Sequence, residues 1–347
     1  MEFNNHIINH KATILEALNA LNNLRNGTSL TLLVLNENSQ VIGTLTDGDV
    51  RRSLINGKEL NATINDIFNK NFTFLKKGAY DVKQIHFAKE KGIELLPVLN
   101  EQMQMVDMVN LKKQKSYLPV DAVLMAGGKG ERLRPLTEKT PKPLLKVGDK
   151  CIIDYNIDRL IDYGIRHLFV TVNYLKEQLE EHFTTPINGI RVRTIREPKF
   201  LGTMGSIQFV EDFYNDTILL MNSDLFTNID YEDFYLHFKE YDADMSIAAV
   251  PYTISVPYGI FELDGREIKG MQEKPTYNYY ANAGIYLLKR ELLDLVPKDT
   301  FFNATDFIDL LMKRGYKVIR FPLNGSWIDI GNPQEYQKAI ELVKHIK

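Results

Sequence analysis

Apolar and polar residues alternate in two distinct ways along the chain, and the change falls near residues 112–119. Before it, pairs of short apolar strands joined by polar turns alternate with short helices, and the succession recurs after about 50 residues. A repeat of this length predicts a duplicated small α/β unit over residues 1–115. The predicted strands are 30–35, 41–44, 95–99 and 105–109, and the predicted helices are 47–57 and 80–91.

After residue 119, strands and helices alternate one by one. The predicted strands are 121–125, 167–172, 190–195, 217–221 and 245–250, and the predicted helices are 152–163, 176–183, 205–213 and 231–241. This order predicts an α/β domain over residues 116–347, with a mostly parallel sheet covered by helices on both faces. Ligands of such sheets bind beyond the carboxyl ends of the strands. We therefore expect a site just after residue 125.

The stretch LMAGGKGERLRPLTEKTPKPLL, residues 124–145, begins at that strand end and combines glycines with basic residues. Backbone N–H groups of Gly127, Gly128 and Gly130 can converge on an anion, and nearby cations can add charge. A Walker A loop would require Lys and Ser or Thr after Gly130, and a dinucleotide fingerprint would require glycine where Leu133 stands. The stretch therefore predicts a polyphosphate site of neither kind, the alternative being a tight solvated turn.

Composition narrows the classes of function. The formal net charge of −3 argues against a general nucleic-acid-binding protein, which has a basic surface. Cys151 is the sole cysteine, so no internal disulfide can form and a reducing cytoplasm is expected. The start, MEFNNHIINHK, lacks the features of a signal peptide, and no window approaches the roughly 18 apolar residues of a membrane span. We expect no membrane partner.

The glycine-rich stretch strongly resembles the signature of the sugar-1-phosphate nucleotidyltransferases, the sugar-nucleotide pyrophosphorylases. Further pieces follow in the family's order over residues 120–347: EPKFLGTMGSI, MNSDLF, YGIFELD, EKP, NAGIYLL and WIDIGNPQEY. Residues 30–110 resemble a pair of cystathionine-β-synthase (CBS) domains, with VIGTLTDGDVRRSL as the main evidence. The resemblance implies a Rossmann-like, GT-A-like sheet with an N-terminal CBS pair.

The resemblance also implies a reaction, in which a nucleoside triphosphate and a sugar 1-phosphate give a nucleotide sugar and pyrophosphate. It makes Arg132, Lys142 and Asp224 catalytic, and Asp224 and Asp329 the ligands of Mg²⁺. Implied nucleotide-binding residues are Ala126, Gly127, Gly128, Gly130, Glu197, Gly202 and Thr203. Implied sugar-phosphate-binding residues are Gly259, Glu273, Lys274 and Asn282. For each aspartate the structural alternative is a turn or helix-cap role, and Ser223 stands where the family usually has glycine.

Base selection follows from LGTMG, residues 201–205, which is similar to the LGTAG of mannose-1-phosphate guanylyltransferases, with Met204 in place of alanine. We expect GTP as a substrate, with glucosamine 1-phosphate or mannose 1-phosphate as the other. The CBS-first order is similar to the guanylyltransferases that make GDP-glucosamine for legionaminic acid. The alternatives are the same chemistry with UTP, dTTP or CTP, and a non-catalytic nucleotide-sensing protein.

The CBS resemblance implies that Thr46 and Asp49 contact an adenine or guanine nucleotide. The alternative is that Asp47 or Asp49 only caps the following helix. The second repeat has MVDMVNLKK where the matching Thr and Asp should be, so at most one complete site is expected. Assembly into a homo-oligomer through the CBS pair is also expected.

Overall fold

The structure is a computed structural model that describes residues 4–24 and 29–344. The chain divides into two compact units, one of Met1–Leu118 with Asp162–Gly164 and one of Pro119–Ile161 with Ile165–Lys347. The division along the chain lies close to the boundary predicted at residues 115–116. We describe each unit by itself.

The N-terminal unit contains two three-stranded sheets with the same topology. In each sheet the first strand is parallel to the second, and the second is antiparallel to the third. The elements are β1 (Ile7–Asn9), α1 (Ile14–Asn22), β2 (Thr31–Leu35), β3 (Val41–Thr46), α2 (Asp47–Ile55), β4 (Leu75–Lys76), α3 (Val82–Glu90), β5 (Leu95–Leu99) and β6 (Met105–Asn110). The repeated topology agrees with the duplication expected from the sequence, although α1 and β1 were not predicted.

The two repeats differ after their third strands. Helix α2 follows β3 directly, whereas residues 111–118 after β6 form no helix. The cap of α2 also differs from the expectation. Thr46, rather than Asp47 or Asp49, is the N-cap, and it forms a capping box in which the Asp49 carboxylate accepts the Thr46 N–H at 2.8 Å. In this reciprocal arrangement the Thr46 hydroxyl accepts the Asp49 N–H and the Asp49 carboxylate accepts the Thr46 N–H, so that two otherwise free N–H groups are satisfied.

The C-terminal unit is built on one seven-stranded sheet in the order β11-β10-β7-β12-β17-β14-β18. Its elements begin with β7 (Asp121–Met125), β8 (Lys146–Val147), β9 (Lys150–Cys151), α4 (Ile152–Asp162), β10 (His167–Val172), α5 (Lys176–His182), β11 (Val192–Arg196), α6 (Gly202–Gly205), β12 (Thr217–Asn222) and β13 (Leu225–Thr227). They continue with α7 (Tyr231–Glu240), β14 (Met245–Ser255), β15 (Ile260–Asp264), β16 (Glu267–Gln272), β17 (Thr276–Lys289), α8 (Ala304–Lys313), β18 (Val318–Pro322), β19 (Trp327–Asp329) and α9 (Pro333–Lys344).

Within this sheet β17 is antiparallel to both of its neighbours, and the other pairings are parallel. The mostly parallel sheet predicted from the sequence is therefore confirmed. Strands β7, β10 and β12 are nearly continuous in apolar residues because helices cover both faces. Phe169 and Leu220 from the sheet pack with Phe307 and Leu311 of α8 in the main core.

Two elements differ from their predicted extents. The helix predicted at 205–213 is replaced by α6 and a 3₁₀ helix, Ser206–Phe209, which ends where Val210 adopts an extended conformation. The N–H groups of Met204 and Gly205, at the start of this helical stretch, donate to the Phe302 carbonyl. Strand β14 continues beyond the predicted residue 250 to Ser255, paired with β17. Across residues 4–24 and 29–344, none of the helices has the length and apolar character needed to cross a membrane.

Candidate active site

A cavity of about 670 Å³ opens beside the loop that follows β7. Its walls come from the loops after β7, β10, β11 and β12, which is where a parallel sheet places its ligand site. The lining includes ten of the residues singled out from the sequence: Ala126, Gly127, Gly128, Gly130, Arg132, Lys142, Glu197, Gly202, Thr203 and Asp224. The nucleotide half of the predicted site is therefore brought together in one place.

Two of the glycines are required by close packing. A Cβ added to Gly127 would lie 2.4 Å from Oε1 of Glu197. Gly130 has a positive φ of 62°, and a Cβ there would lie 3.1 Å from the Cβ of Lys142. Substituting Gly130 would cost free energy through both strain and contact. Glycine is therefore favoured at both positions of the loop, and Lys142 lies directly beneath Gly130.

Lys142 lies at the charged centre of the site. Its residue is 8% exposed, and its Nζ donates to Oδ2 of Asp224 and lies 3.9 Å from Oδ1 of Asp329. A lysine this buried requires a charged partner, and the two carboxylates supply it. The three side chains named from motifs far apart in sequence therefore form one cluster.

The turn that carries Asp224 is fixed on both sides. Nδ2 of Asn156, a buried residue of α4, donates to the Leu225 carbonyl at 2.8 Å and to the Ser223 carbonyl at 3.4 Å. The Ser223 hydroxyl donates to the Met125 carbonyl at 2.7 Å. The serine that departs from the family's usual glycine therefore ties the turn to the end of β7 and leaves Asp224 directed to Lys142.

Asp329 is held beside Asp224 because β13 and β19 pair antiparallel, with Leu225 opposite Asp329. Burial, and next the negative charge of Asp224, raise the pKa of Asp329 above its ordinary value. Oδ1 of Asp224 is buried and accepts no hydrogen bond from the described residues. An unsatisfied carboxylate oxygen beside a second carboxylate is a suitable ligand set for a hard divalent cation.

Arg132 lies at the mouth of the cavity. A Cβ added to Gly331 would lie 2.8 Å from NH2 of Arg132, so the guanidinium packs on the glycine that follows the Asp329 strand. The Arg132 residue is exposed and lines the cavity. Its charge is available to an anion entering from solvent.

Glu197 and the loop after it form the opposite wall. Glu197 is 2% exposed, burial raises its pKa, and Oε2 accepts the Leu201 N–H at 3.4 Å. The Thr203 hydroxyl accepts the N–H of Ala304, the first residue of α8. The loop is therefore anchored to α8, and Thr203 has a structural role in addition to its place in the cavity lining.

The predicted sugar-phosphate residues are placed elsewhere. Gly259, Glu273, Lys274 and Asn282 are all exposed, and none of them is among the residues that line the cavity. Gly259 and Glu273 are neighbours, since a Cβ on the glycine would lie 3.1 Å from Oε2 of the glutamate. Asn282 Nδ2 donates to the hydroxyl of Tyr286, and its Oδ1 accepts the N–H of Gly284.

Sequence reasoning missed several residues that the structure adds to the site. Thr171, Asn173, Phe200 and Asn222 line the cavity, and Asn156 positions the Asp224 turn. Phe200 could have been found, because it lies inside the EPKFLGTMG motif. Asn156 carries no such signal, since a single asparagine in an amphipathic helix is ordinary.

The N-terminal unit has its own cavity of about 710 Å³, lined by Thr46 and Asp49 together with Arg51 and Arg52. The Asp49 carboxylate is engaged by the capping box and by Arg52, whose NH2 lies 2.5 Å from Oδ1. Both readings of these residues therefore have a structural basis, because they cap α2 and also face a cavity.

Comparison with known proteins places this geometry in a family. Residues 121–345 match the nucleotidyl transferase family. The chain belongs to that family. Residues 2–56 match the CBS domain, so this match covers the first of the two repeats.

Two curated relatives and one solved structure illustrate the similarity. The bifunctional protein GlmU of Methanocaldococcus jannaschii is 30% identical over 228 residues, 63% of this chain and 53% of that protein. The catalytic subunit beta of mannose-1-phosphate guanylyltransferase from Dictyostelium discoideum is 28% identical over 231 residues, 64% of each chain. A Bacillus anthracis structure named as a glucose-1-phosphate thymidylyltransferase has a TM-score of 0.53 at 24% identity, covering 66% of this chain and 96% of that one.

The coverage of these matches limits which conclusions about this chain they support. The aligned part spans about half to two thirds of the length of the curated relatives. The similarity to the solved structure supports the fold, a mixed α/β nucleotidyltransferase sheet.

Proposed function

We propose that the protein is a sugar-1-phosphate guanylyltransferase that converts GTP and a sugar 1-phosphate to a GDP-sugar and pyrophosphate. The observation that carries the proposal is the cluster of Lys142, Asp224 and Asp329 beneath a glycine loop of the nucleotidyl transferase family. An anion-binding loop, a buried cation and two adjacent carboxylates together fit phosphoryl chemistry.

The chemical demand is alignment of two anions. An oxygen of the sugar phosphate attacks the α-phosphorus of the nucleotide, and the bond from that phosphorus to the bridging oxygen of pyrophosphate breaks. The nucleophile is already anionic, so no general base is required. Loop N–H groups and Arg132 would hold the triphosphate, and Lys142 would offset charge at the reacting phosphorus.

Magnesium is the cofactor that we propose for this site. Asp224 and Asp329 would hold it, since their oxygens are hard ligands and Oδ1 of Asp224 has no other described partner. When bound, the ion would neutralise phosphate charge. Lys142 would remain beside both carboxylates. Burial and the charge of Asp224 raise the pKa of Asp329 because they destabilise its anion, and a bound cation would offset both effects.

The choice of GTP rests on LGTMG, which forms the wall at Gly202 and Thr203, and on the guanylyltransferase named among the relatives. Glucosamine 1-phosphate and mannose 1-phosphate are the proposed sugar phosphates. Glu273 suits an amino sugar because a carboxylate can pair with a cationic nitrogen, and it can equally accept from hydroxyl groups. A reducing cytoplasm is the location that the single cysteine favours.

The direct test is a matrix of GTP, UTP, dTTP and CTP against several sugar 1-phosphates, with Mg²⁺ present, scored by pyrophosphate release. We expect the highest kcat/KM with GTP. A higher value with UTP or dTTP for every sugar phosphate would overturn the guanylyl assignment and keep the reaction class. No turnover with any pair would favour the non-catalytic sensor, against which the intact cluster of Lys142, Asp224 and Asp329 argues.

For the N-terminal unit we propose binding of an adenine or guanine nucleotide at the cavity lined by Thr46 and Asp49, and self-association. Isothermal titration of the full chain with AMP, ATP or GDP tests the binding. Replacing Asp49 with Asn should weaken binding at this cavity. An unchanged affinity would leave Asp49 with its capping role alone.

A further inference from the structure

The strands β14 and β17 extend beyond the seven-stranded sheet. The last pairing of β14 with β18 is Ala249 with Pro322, and the pairing of β12 with β17 reaches Ile285. From the pair Val250 and Ala281 onward, these two strands pair only with each other among the described residues. The hairpin of β15 and β16 continues from the end of this two-stranded ribbon.

One face of the ribbon carries large apolar and aromatic side chains only, whereas the other face is mixed and includes Tyr280, on whose ring Arg320 packs. Tyr252 lies opposite Tyr279 and Ile254 lies opposite Tyr277, which places four large side chains on the same face. On the other face the Thr253 hydroxyl donates to Oδ1 of Asn278 at 2.9 Å. The face is thus defined by cross-strand register, not by isolated residues.

The hairpin repeats this division. Phe261 lies opposite Met271 and Leu263 lies opposite Ile268, so four further apolar side chains share a face. On the opposite face Nε2 of Gln272 donates to Oε1 of Glu262 at 2.6 Å. We call these two sets of four residues the apolar ribbon faces.

The side chains of these faces are largely open to solvent. Seven of the eight are exposed: Tyr252 57%, Ile254 43%, Phe261 54%, Leu263 65%, Ile268 59%, Met271 61% and Tyr279 54%. At roughly 200 Å² for a large side chain, seven that are half exposed present on the order of 700 Å². Monomeric proteins rarely expose apolar patches beyond a few hundred Å².

A two-stranded hairpin is marginally stable in water unless a hydrophobic face packs against something. The partner of these faces must be apolar, since no charged side chain lies on them. The exposed area is close to the roughly 800 Å² that each partner contributes to a standard interface. A second copy of this chain meets these requirements, because a two-fold axis places the same apolar patch on both sides.

We propose that the apolar ribbon faces form an interface between two copies of this chain. The opposite faces, with Glu262 and Gln272 on the hairpin, remain in solvent. This contact is separate from the self-association proposed for the N-terminal unit and does not depend on the proposed reaction. Glu273 and Lys274 lie in the segment that joins the hairpin to the ribbon.

The test compares two lysine pairs on one hairpin by light scattering of the full chain. The first double variant, Leu263→Lys with Ile268→Lys, places two charges on the apolar face. The control, Asp264→Lys with Glu267→Lys, places two lysines on the neighbouring cross-strand pair. Because self-association is also proposed for the N-terminal unit, the readout is the mass of each variant divided by the mass of the wild type. We expect the first variant to have half the mass of the wild type and the second to match the wild type.

An unchanged mass in the first variant, an equal loss in both, or a monomeric wild type at about 50 µM would overturn the proposal. Hydrogen exchange of the wild type provides a measurement that needs no substitution. We expect amides of residues 250–281 to become more protected as the protein concentration rises through the association range. Protection that is independent of concentration would show that the faces are covered within one chain.

Discussion

The nucleotide side and the sugar side of the proposed active site are supported in different ways. Lys142, Glu197 and Ser223 are buried against the end of a seven-stranded sheet and are held by hydrogen bonds. Gly259, Glu273 and Lys274 are exposed in the two segments that join the ribbon of β14 and β17 to the hairpin of β15 and β16. In the proposed reaction, phosphate alignment would thus rest on groups fixed by the core, whereas the proposed sugar residues would depend on a segment with little packing of its own.

This contrast predicts different consequences for substitutions on the two sides. Changes on the nucleotide side should lower kcat or the free energy of unfolding, because the groups there are already in place and support one another. Changes on the sugar side should alter the KM for the sugar 1-phosphate and leave stability unaffected. Four substitutions test this, in order of decreasing expected effect.

Asp224→Asn removes one carboxylate charge from the cluster and should lower kcat by about a hundredfold or more, the scale of a lost electrostatic stabiliser. Steady-state rates at saturating Mg²⁺ and both substrates measure it. Asp212→Asn, at an exposed position of the same unit, is the control and should retain full turnover. Near-wild-type kcat in Asp224→Asn would remove this residue from the mechanism.

Asn156→Leu keeps the side-chain volume and leaves the Ser223 and Leu225 carbonyls without their donor. We expect the free energy of unfolding to fall by about 2 kcal/mol, the cost of leaving buried acceptors unpaired. Urea unfolding followed by circular dichroism measures this. Asn19→Leu, at an exposed position of α1, should change it by less than about 0.5 kcal/mol. Equal effects would show that the Asp224 turn does not need Asn156.

Glu273→Gln should raise the KM for the sugar 1-phosphate about tenfold, the equivalent of one charge-assisted hydrogen bond of ~1.4 kcal/mol. The KM for GTP and the melting temperature should stay unchanged, because Glu273 is exposed and lies outside the nucleotide cavity. Glu267→Gln, on the same hairpin, is the control. A rise in the KM for GTP alone would place Glu273 on the nucleotide side and contradict the comparison.

Glu197→Gln tests the raised pKa of a buried carboxyl. Below the ordinary pKa of glutamate the carboxyl is protonated in both the folded and the unfolded chain, so its burial does not lower the free energy of unfolding. As the pH rises through the ordinary value and then the raised folded value, ionisation favours the unfolded chain and wild-type stability declines. In melting curves from pH 4 to 8, the melting temperature of the variant should therefore increase relative to that of the wild type as the pH rises. A constant difference would mean that Glu197 ionises without cost.

The sequence by itself determined the family, the alternation of strands and helices up to residue 250, and ten of the residues that line the cavity beside the glycine loop. The spacing of Gly127, Gly128 and Gly130 after an apolar strand predicted the loop, and the motifs at Lys142, Asp224 and Asp329 predicted a shared site. The loop is a local feature, since it follows directly from a strand end that its own residues specify. The other residues, Arg132, Glu197 and Gly202 included, could be named because their motifs resemble those of the nucleotidyltransferase family.

Only the tertiary structure decided how these pieces meet. The contact of Lys142 with Asp224 spans 82 positions of sequence, and Asn156 reaches the Asp224 turn from another helix. The short helix α6, which stands at the start of the predicted helix 205–213, is held by the Phe302 carbonyl, about 100 residues away, which accepts the N–H groups of Met204 and Gly205. The apolar ribbon faces likewise arise from the cross-strand register of β14 with β17 and of β15 with β16. Pairing between distant segments is set by the packing of the whole sheet, which no local pattern of residues encodes.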